Sequence, residues 1–304
     1  MNANPLGAVA TAGTRWPINR ARTMELLGFG TLVDNALDAV ASWDHVAEFT
    51  FVLALQMANL ARLGSSIELL AGDEADMIRI DDAYINTSSV MPQKRNAASI
   101  YLMRNASNEL AGTLAGVMSS LNASEHQLTA TRMDLQPRSI ELAIQATRMM
   151  SGLVDTMTPR TERMIEFLRT KFSTMTELCD VLVKDAGIPL REAHEIIARV
   201  VERKIVAGQG SDQITSRDIR EAIREQTGSD TLISNEQIVA AMDPRASVAA
   251  RTGLDGPAPD ALQVAIRAAR ERVDEAETRH RERSARIQTA IAKLAAAEEE
   301  FIRH

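Results

Sequence analysis

The chain has 304 residues, of which 45% are hydrophobic and 25% charged, so it can bury a substantial core in one large or two smaller domains. Its formal net charge of -7, with no basic run, excludes the kind of surface that binds nucleic acid. The single cysteine excludes an internal disulfide and indicates a reducing, cytoplasmic compartment, and no apolar run reaches the length that we expect of a membrane span.

The first residues are predicted to form a loop. Residues 1–22 carry three arginines and no acidic residue but lack the apolar block of a signal peptide, so we expect them to be mature sequence. Glycine and proline punctuate residues 5–22, which indicates irregular backbone, and Leu6, Trp16 and Ile18 favour its burial. A short helix is expected at residues 23–27.

Helical spacing of apolar residues predicts three long helices, at residues 44–72, 97–121 and roughly 138–157. Apolar positions lie on several sides of these segments, which is typical of helices inside a bundle. The stripes of the first two helices contain Val46, Phe49, Val52, Leu53, Met57, Leu60, Leu63, Ile100, Met103, Leu110, Leu114 and Met118. No strand pattern of any length is present, so we predict an all-α protein.

Shorter helices are predicted beyond a break at Thr158-Pro159, and two of them begin at capping boxes, Thr215 with Asp218 and Ser234 with Gln237. The last helix, from Asp260 to Phe301, has apolar spacings of four and three that indicate a coiled-coil-like seam. We therefore predict a helical bundle at residues 1–157, a small helical domain at 158–259 and a long C-terminal helix at 260–304.

One polar stretch interrupts the helical pattern. Residues 87–96 form this stretch, which we call the signature loop, and their sequence is Thr-Ser-Ser-Val-Met-Pro-Gln-Lys-Arg-Asn. Pro92 and the paired serines argue against helix, so we expect a mobile loop that leads into a helix near Ala97. Lys94 supplies a cation and Asn96 supplies directional amide donors, a combination that suits a carboxylate ligand.

Other candidate residues give no second site. His194 lies in a predicted structural helix, His126 stands in no known motif, and Cys179 fits a small buried hydrophobe. The sequence has no metal-ligand spacing, and Gly7 and Gly13 are too isolated for a nucleotide-binding loop. We therefore expect neither a metal nor a cofactor.

The signature loop resembles the Gly-Ser-Ser-x-Met-Pro-x-Lys-x-Asn loop of the aspartase/fumarase superfamily, and Gln93 is similar to the argininosuccinate lyase branch. Further similar segments are Pro5-Leu6-Gly7, Asp34 to Val40, Asp134-Leu135-Gln136, Ile188 to Glu195 and Met242 to Val248. The resemblance covers residues 3 to about 275 and implies a long-helix bundle of the aspartase/fumarase type, followed by a small C-terminal helical domain.

The resemblance also implies a reaction and roles for individual residues. It implies β-elimination of an N-substituted aspartate, such as argininosuccinate in arginine biosynthesis, with release of fumarate and an amine. Ser88 would be the base, and the residues that would bind the small dicarboxylate substrate are Ser89, Lys94, Asn96 and Gln136. The family further implies a homotetramer whose sites are shared between subunits.

This sequence departs from the family pattern in ways that matter for activity. We find no counterpart of the family's N-terminal domain, which carries a Ser-Arg-Asn segment and a His-Thr-His segment with the catalytic histidine. Tyr101 stands where the family has a glutamate that pairs with that histidine, and Thr87 replaces the glycine before the serines. Trp43, Thr131 and Ser139 replace an arginine, a tyrosine and a lysine, so the pocket for the leaving amine is rewritten.

Three interpretations therefore stay open. The chain is an argininosuccinate lyase-like enzyme, and a separate polypeptide could supply the missing parts of its site. Alternatively, it is a catalytically impaired or non-catalytic oligomeric relative, or it is the truncated product of a normal lyase gene.

Overall fold

The structure, a computed structural model, describes residues 2–122, 137–230 and 233–303. Within these ranges it has twelve α-helices and six strands of two residues each, so the prediction of an all-α protein is confirmed. The helices are α1 Arg20–Leu26, α2 Ala36–Ala41, α3 Asp44–Ala71, α4 Ala98–Asn122, α5 Pro137–Thr156, α6 Thr161–Thr170, α7 Met175–Lys184, α8 Leu190–Val206, α9 Ser216–Thr227, α10 Asn235–Met242, α11 Pro244–Ala249 and α12 Pro259–Arg303. The strands are β1 Ala3–Asn4, β2 Thr31–Leu32, β3 Ile78–Arg79, β4 Asn86–Thr87, β5 Arg95–Asn96 and β6 Thr158–Pro159.

The chain forms two compact units. The first contains Met1–Thr158 and Glu275–His304, and the second contains Pro159–Asp274. The predicted C-terminal helix is one continuous element, α12, and its residues from Glu275 onward belong to the first unit. His280 and Arg283, which interrupt the apolar seam of the sequence, therefore lie within an unbroken helix.

The first unit is built on α3, α4 and α5, which pack on one another. Their buried positions recur at spacings of three and four, as in α5, where Ser139, Ala143, Ala146, Met150 and Leu153 are buried. Small residues allow close helix approach: a Cβ atom added at Gly64 would lie 3.1 Å from Ile100. The buried side chains Met57, Ile100, Met103, Leu110 and Leu153 form the centre of this bundle.

Helix α3 has apolar residues on more than its buried side. Phe51, Val52 and Leu55 are about half exposed, so the sequence stripe that includes Val52 is only partly buried within one chain. Among the described helices, α3 is the one that is long and apolar enough to cross a membrane, contrary to the expectation from the sequence. Length and composition alone do not separate such a span from the core helix of a bundle, and α3 packs on α4 and α5.

The N-terminal segment packs next to α12. β1 pairs in parallel with β2, and Gly28, at the end of α1, approaches Ala290 of α12. Gly28 has φ +74°, and a Cβ atom there would lie 2.6 Å from the Ala290 Cβ, so glycine is needed for both reasons. The expectation that the loop buries its apolar residues is wrong for the single chain, because Leu6, Trp16 and Ile18 are each at least half exposed.

The second unit has its own core. Leu178, Leu182, Ile196, Ile219 and Ile238, from α7 to α10, are fully buried and belong to one cluster. Both predicted capping boxes are present, at the starts of α9 and α10. Cys179 lies buried in the same cluster, and burial raises the pKa of its thiol, which confirms its interpretation as a small apolar residue.

Candidate active site

The signature loop is closed at its base by a short hairpin. β4 and β5 pair antiparallel, with Asn86 opposite Asn96 and Thr87 opposite Arg95. The tip between the strands runs from Ser88 to Lys94 and carries both serines. α4 starts at Ala98, directly after the hairpin, close to the start expected from the sequence. The pairing brings Ser88 and Lys94 to the two ends of one tip, which sequence alone did not indicate.

Ser88 is held by its own loop. Its Oγ atom accepts hydrogen bonds from the backbone N–H groups of Val90, at 3.2 Å, and Met91, at 3.0 Å. Two fixed donors aimed at one oxygen favour negative charge on that oxygen, because they bind the alkoxide more strongly than the neutral hydroxyl. Ser88 as a whole is partly buried.

The other predicted site residues of the loop remain open to solvent. Ser89 and Lys94 are exposed and Asn96 is partly buried. Lys94 takes part in the turn through its backbone N–H, which donates to the Met91 carbonyl oxygen at 3.1 Å. Within the described ranges, the side chains of Lys94 and Asn96 have no hydrogen-bond or ion-pair partner, so their donors are available to a ligand. Gln136, the fifth predicted site residue, lies outside the described residues.

Three contacts fix the loop to the bundle. The Arg95 guanidinium donates to the carbonyl oxygen of buried Ile80, at 3.2 Å, and forms an ion pair with Asp82. After the loop, the buried hydroxyl of Ser99 donates to the Tyr84 carbonyl oxygen, at 3.2 Å. Hydrogen bonding from Arg95, together with its charge, holds the pKa of the Asp82 carboxyl below its ordinary value. Sequence reasoning missed this pair, since only the tertiary structure brings Asp82 to the loop.

The structure shows the contacts and burial of three residues at which the sequence departs from the family pattern. Tyr101, in the first turn of α4, is about half exposed, and the Arg104 guanidinium lies 5.8 Å from the centre of its ring. Arg104 also forms an ion pair with Glu68 of α3. Trp43 stacks on His45 with 5.9 Å between ring centroids, and Ser139 is buried on α5. Among the described residues, no group of three or more His, Cys, Asp or Glu side chains is placed to hold a metal ion.

Comparisons with known proteins identify the family. A family model described as lyase matches residues 1–112, and one described as argininosuccinate lyase C-terminal matches residues 172–249. The argininosuccinate lyase of Methanocaldococcus jannaschii is 34% identical over 278 residues, which cover 90% of this chain. That of Methanothermobacter thermautotrophicus is 31% identical over 269 residues, or 88% of this chain. The chain belongs to the lyase family of the argininosuccinate lyases.

This lyase-family chain matches only part of the length of its relatives. It spans 56% of the length of the M. jannaschii protein and 58% of the M. thermautotrophicus protein. A crystal structure of EDDS lyase with formate superimposes with a TM-score of 0.95 at 41% identity, over 99% of this chain and 61% of that one. A fumarate lyase/delta crystallin from Brucella melitensis, at 18% identity and a TM-score of 0.58, shares the fold.

Proposed function

We propose that this chain supplies the base and the carboxylate-binding loop of a carbon–nitrogen lyase that releases fumarate from an N-substituted aspartate. The observation that carries this proposal is the pair of N–H groups on the Oγ atom of Ser88. A serine hydroxyl is a poor base at its ordinary pKa, and two fixed donors favour the alkoxide that the reaction needs.

In this reaction the Ser88 alkoxide takes a proton from the carbon next to a carboxylate of the aspartate group and becomes a hydroxyl. The electron pair of the broken C–H bond passes through an intermediate with extra negative charge on that carboxylate. The pair then forms the double bond of fumarate, the C–N bond breaks, and the leaving nitrogen takes a proton from water. Transfer of the Ser88 hydroxyl proton to the resulting hydroxide restores the alkoxide. Fixed cations and N–H donors stabilise the intermediate more than the substrate, which lowers the barrier.

Lys94 and Asn96 are proposed to hold the carboxylates of the substrate. The Lys94 ammonium adds a positive charge, and the Asn96 amide adds directional donors. The free donors of both side chains support this role, as does their place in the hairpin, with Lys94 at the far end of the tip from Ser88 and Asn96 in β5. Ser89 is proposed to contact the same carboxylates, and Gln136 the part of the substrate that leaves as the amine.

The similar proteins support two substrate classes. The argininosuccinate lyases that this chain resembles support argininosuccinate, the substrate that the sequence suggested first. EDDS lyase, one variant of which was solved with bound fumarate, supports EDDS as a substrate, with a different leaving amine. Both substrates share the N-substituted aspartate that the signature loop is proposed to bind.

We also propose that the chain assembles with copies of itself as a homotetramer in the cytoplasm. The support is the set of exposed apolar side chains on the long helices, which one chain leaves in contact with water. These residues are Phe51, Val52 and Leu55 on α3, Leu102 and Met118 on α4, and Ile144 and Val154 on α5. Phe51→Asp should reduce the mass measured by light scattering toward the 33.2 kDa of one chain. Ser66→Asp, at an exposed polar position of α3, is the matched control and should leave the mass unchanged.

The experiment that tests the activity follows fumarate by its ultraviolet absorbance. The purified chain is mixed with argininosuccinate, and separately with EDDS. Release of fumarate that is lost in Ser88→Ala but kept in Ser66→Ala would support the proposed function. Fumarate release that is equal in Ser88→Ala and in the unmodified chain would overturn the role of Ser88.

The alternative is a chain that is inactive alone, either as a non-catalytic relative or as one half of a split lyase. The same assay separates these outcomes when the N-terminal half of the M. jannaschii enzyme is added to this chain. Fumarate release that requires both polypeptides and Ser88 would identify a split enzyme. No release with either substrate, with or without the added half, would favour a non-catalytic role.

A further inference from the structure

We propose that Arg95 and Asp82 are positioning residues. They hold the β5 arm of the signature loop, that is, the strand β5 on the C-terminal side of the tip, in place before any ligand binds. The strand β4, before the tip, is called the β4 arm. Arg95 and Asp82 do not touch the substrate in this proposal. Their effect is to fix the strand β5, which contains Asn96 and directly follows Lys94. The kinetic consequence rests on the proposed function, whereas the effect on the loop itself does not.

The first argument is the direction of the Arg95 side chain. Lys94, Arg95 and Asn96 are consecutive, yet within the described ranges only the Arg95 side chain makes polar contacts with the rest of the unit. One contact is the carbonyl oxygen of Ile80, which belongs to the same buried cluster as Ile100 and Met103. The β5 arm is thereby tied to the core of the bundle.

The second argument is the place of Asp82 in the chain. It begins a 3-10 helix, Asp82–Tyr84, that leads directly into the β4 arm of the hairpin. The neighbouring Asp81 caps this helix by accepting the Ala83 backbone N–H at 2.9 Å. The ion pair with Arg95 therefore joins the β5 arm to the fixed segment from which the β4 arm starts.

The third argument concerns the strength of the contact. Arg79 lies 4.0 Å from the Asp82 carboxylate, so two cations face one anion. Both partners of the Arg95–Asp82 pair are largely exposed, and exposed ion pairs make small contributions. We therefore expect removal of the pair to increase opening of the loop by about 1.5- to 5-fold, rather than to unfold it.

Hydrogen exchange of the full-length chain, measured by mass spectrometry, tests the effect on the loop without any need for turnover. Asp82→Asn is the decisive variant, because it leaves the residues of the tip, and thus their intrinsic exchange rates, unchanged. We expect amides of residues 89–94 to exchange about 1.5- to 5-fold faster in Asp82→Asn, with α4 unaffected. In an Arg95→Gln background, which also lacks the hydrogen bond to the Ile80 carbonyl oxygen, Asp82→Asn should produce no further increase, since the contact between the two side chains is already lost.

The matched control is Glu109→Gln. Glu109 accepts a hydrogen bond from Arg138 at 2.7 Å, in an exposed ion pair of α4 and α5 that has no contact with the loop. This control should leave exchange at residues 89–94 unchanged. Unchanged exchange in Asp82→Asn, a fully additive double variant, or an equal increase throughout α4 would each overturn the proposal.

Kinetics supply a second readout if the chain turns over. Loss of positioning should raise KM by about 1.5- to 5-fold and leave kcat nearly unchanged, because the loop must then be ordered by the substrate. General damage to the fold would instead lower kcat through a smaller active fraction. An inactive unmodified chain would count against the proposed function alone, and the exchange experiment would still decide the role of Arg95 and Asp82.

Discussion

The Oγ atom of Ser88 accepts the backbone N–H of Met91 at 3.0 Å, three residues further along the same loop. Together with the N–H of Val90, this bond surrounds the serine oxygen with donors that belong to the main chain. Such donors do not depend on the side chains of residues 90 and 91. Only a change that removes an N–H group will therefore test them directly.

Val90→Pro removes one of these N–H groups and leaves Ser88 in place. Loss of a donor to the alkoxide should raise the pKa of the Ser88 hydroxyl, so the alkaline part of the pH–rate profile should move to higher pH. We expect fumarate release at neutral pH to fall about 10- to 100-fold, somewhat less than for a fully buried donor. Val90→Ala keeps the N–H group and should retain activity. An equal loss in both variants would show that the N–H group is not the cause.

Lys94→Gln tests the proposed cation of the site. The substitution keeps a long polar side chain and removes the charge, so the intermediate loses electrostatic stabilisation while packing changes little. We expect kcat/KM to fall about 100-fold or more. Lys293→Gln, at an exposed position of α12, is the control for a general change of net charge. Fumarate release by Lys94→Gln at the rate of this control would remove Lys94 from the site.

Local chemistry made most of the helices predictable. The capping box of Ser234 and Gln237 involves residues three apart, so a sequence shows it directly, and the structure contains it. The side of a helix that is buried is less predictable. Val46 and Val52 belong to the same predicted stripe, but Val46 is buried and Val52 is half exposed. Which apolar side faces the core depends on neighbouring helices, and sequence periodicity does not identify these.

The candidate site was predictable only in part. The order of residues along the signature loop indicated Ser88, Lys94 and Asn96 as a group, because they lie within nine residues. The contact between Arg95 and Asp82 joins residues 13 apart and depends on how the chain folds between them. The sequence also favoured burial of Trp16, but this residue is 79% exposed. An apolar side chain shows that its burial would be favourable, but it does not identify a surface that covers it.

Gly28→Ala should destabilise the first unit through contact with α12. The new Cβ atom would lie 2.6 Å from the Ala290 Cβ, and the backbone has φ +74°. Gly13→Ala is the matched control, because Gly13 has φ +72° and open space around it. Backbone strain should cost both variants about 1–2 kcal/mol, and Gly28→Ala should lose about 1–3 kcal/mol more by overpacking.

Urea unfolding measures both losses, and a second substitution identifies their cause. Gly28→Ala combined with Ala290→Gly removes the contact but keeps the left-handed alanine. The extra loss should then largely disappear, apart from about 1 kcal/mol for a glycine within α12. Equal stabilities for the Gly28→Ala and Gly13→Ala variants would contradict the close packing of α1 on α12.

Asp218→Asn should destabilise the second unit in a pH-dependent way. Burial raises the pKa of the Asp218 carboxyl, but hydrogen bonds from the Thr215 hydroxyl and N–H and from Lys204 outweigh it, so this pKa lies below the ordinary 3.8. Lys204 is 3.1 Å away and only 13% exposed, so the substitution also leaves a largely buried cation without its partner. We expect a loss of about 1–3 kcal/mol at pH 7.

The sign of the pH dependence follows from the lowered pKa. A carboxyl whose pKa is lower in the folded than in the unfolded state stabilises the fold at pH values above its unfolded pKa. This contribution is lost as the pH falls from about 4 through the lowered folded value. Urea unfolding at a series of pH values should therefore show the unmodified chain and Asp218→Asn converging below about pH 4, with a constant difference from pH 5 to 7.

Glu221→Gln, which removes an exposed partner of Arg217, is the control and should cost at most about 0.5 kcal/mol. A difference between the unmodified chain and Asp218→Asn that is the same in acid as at pH 7 would rule out the charged carboxylate as the stabilising group.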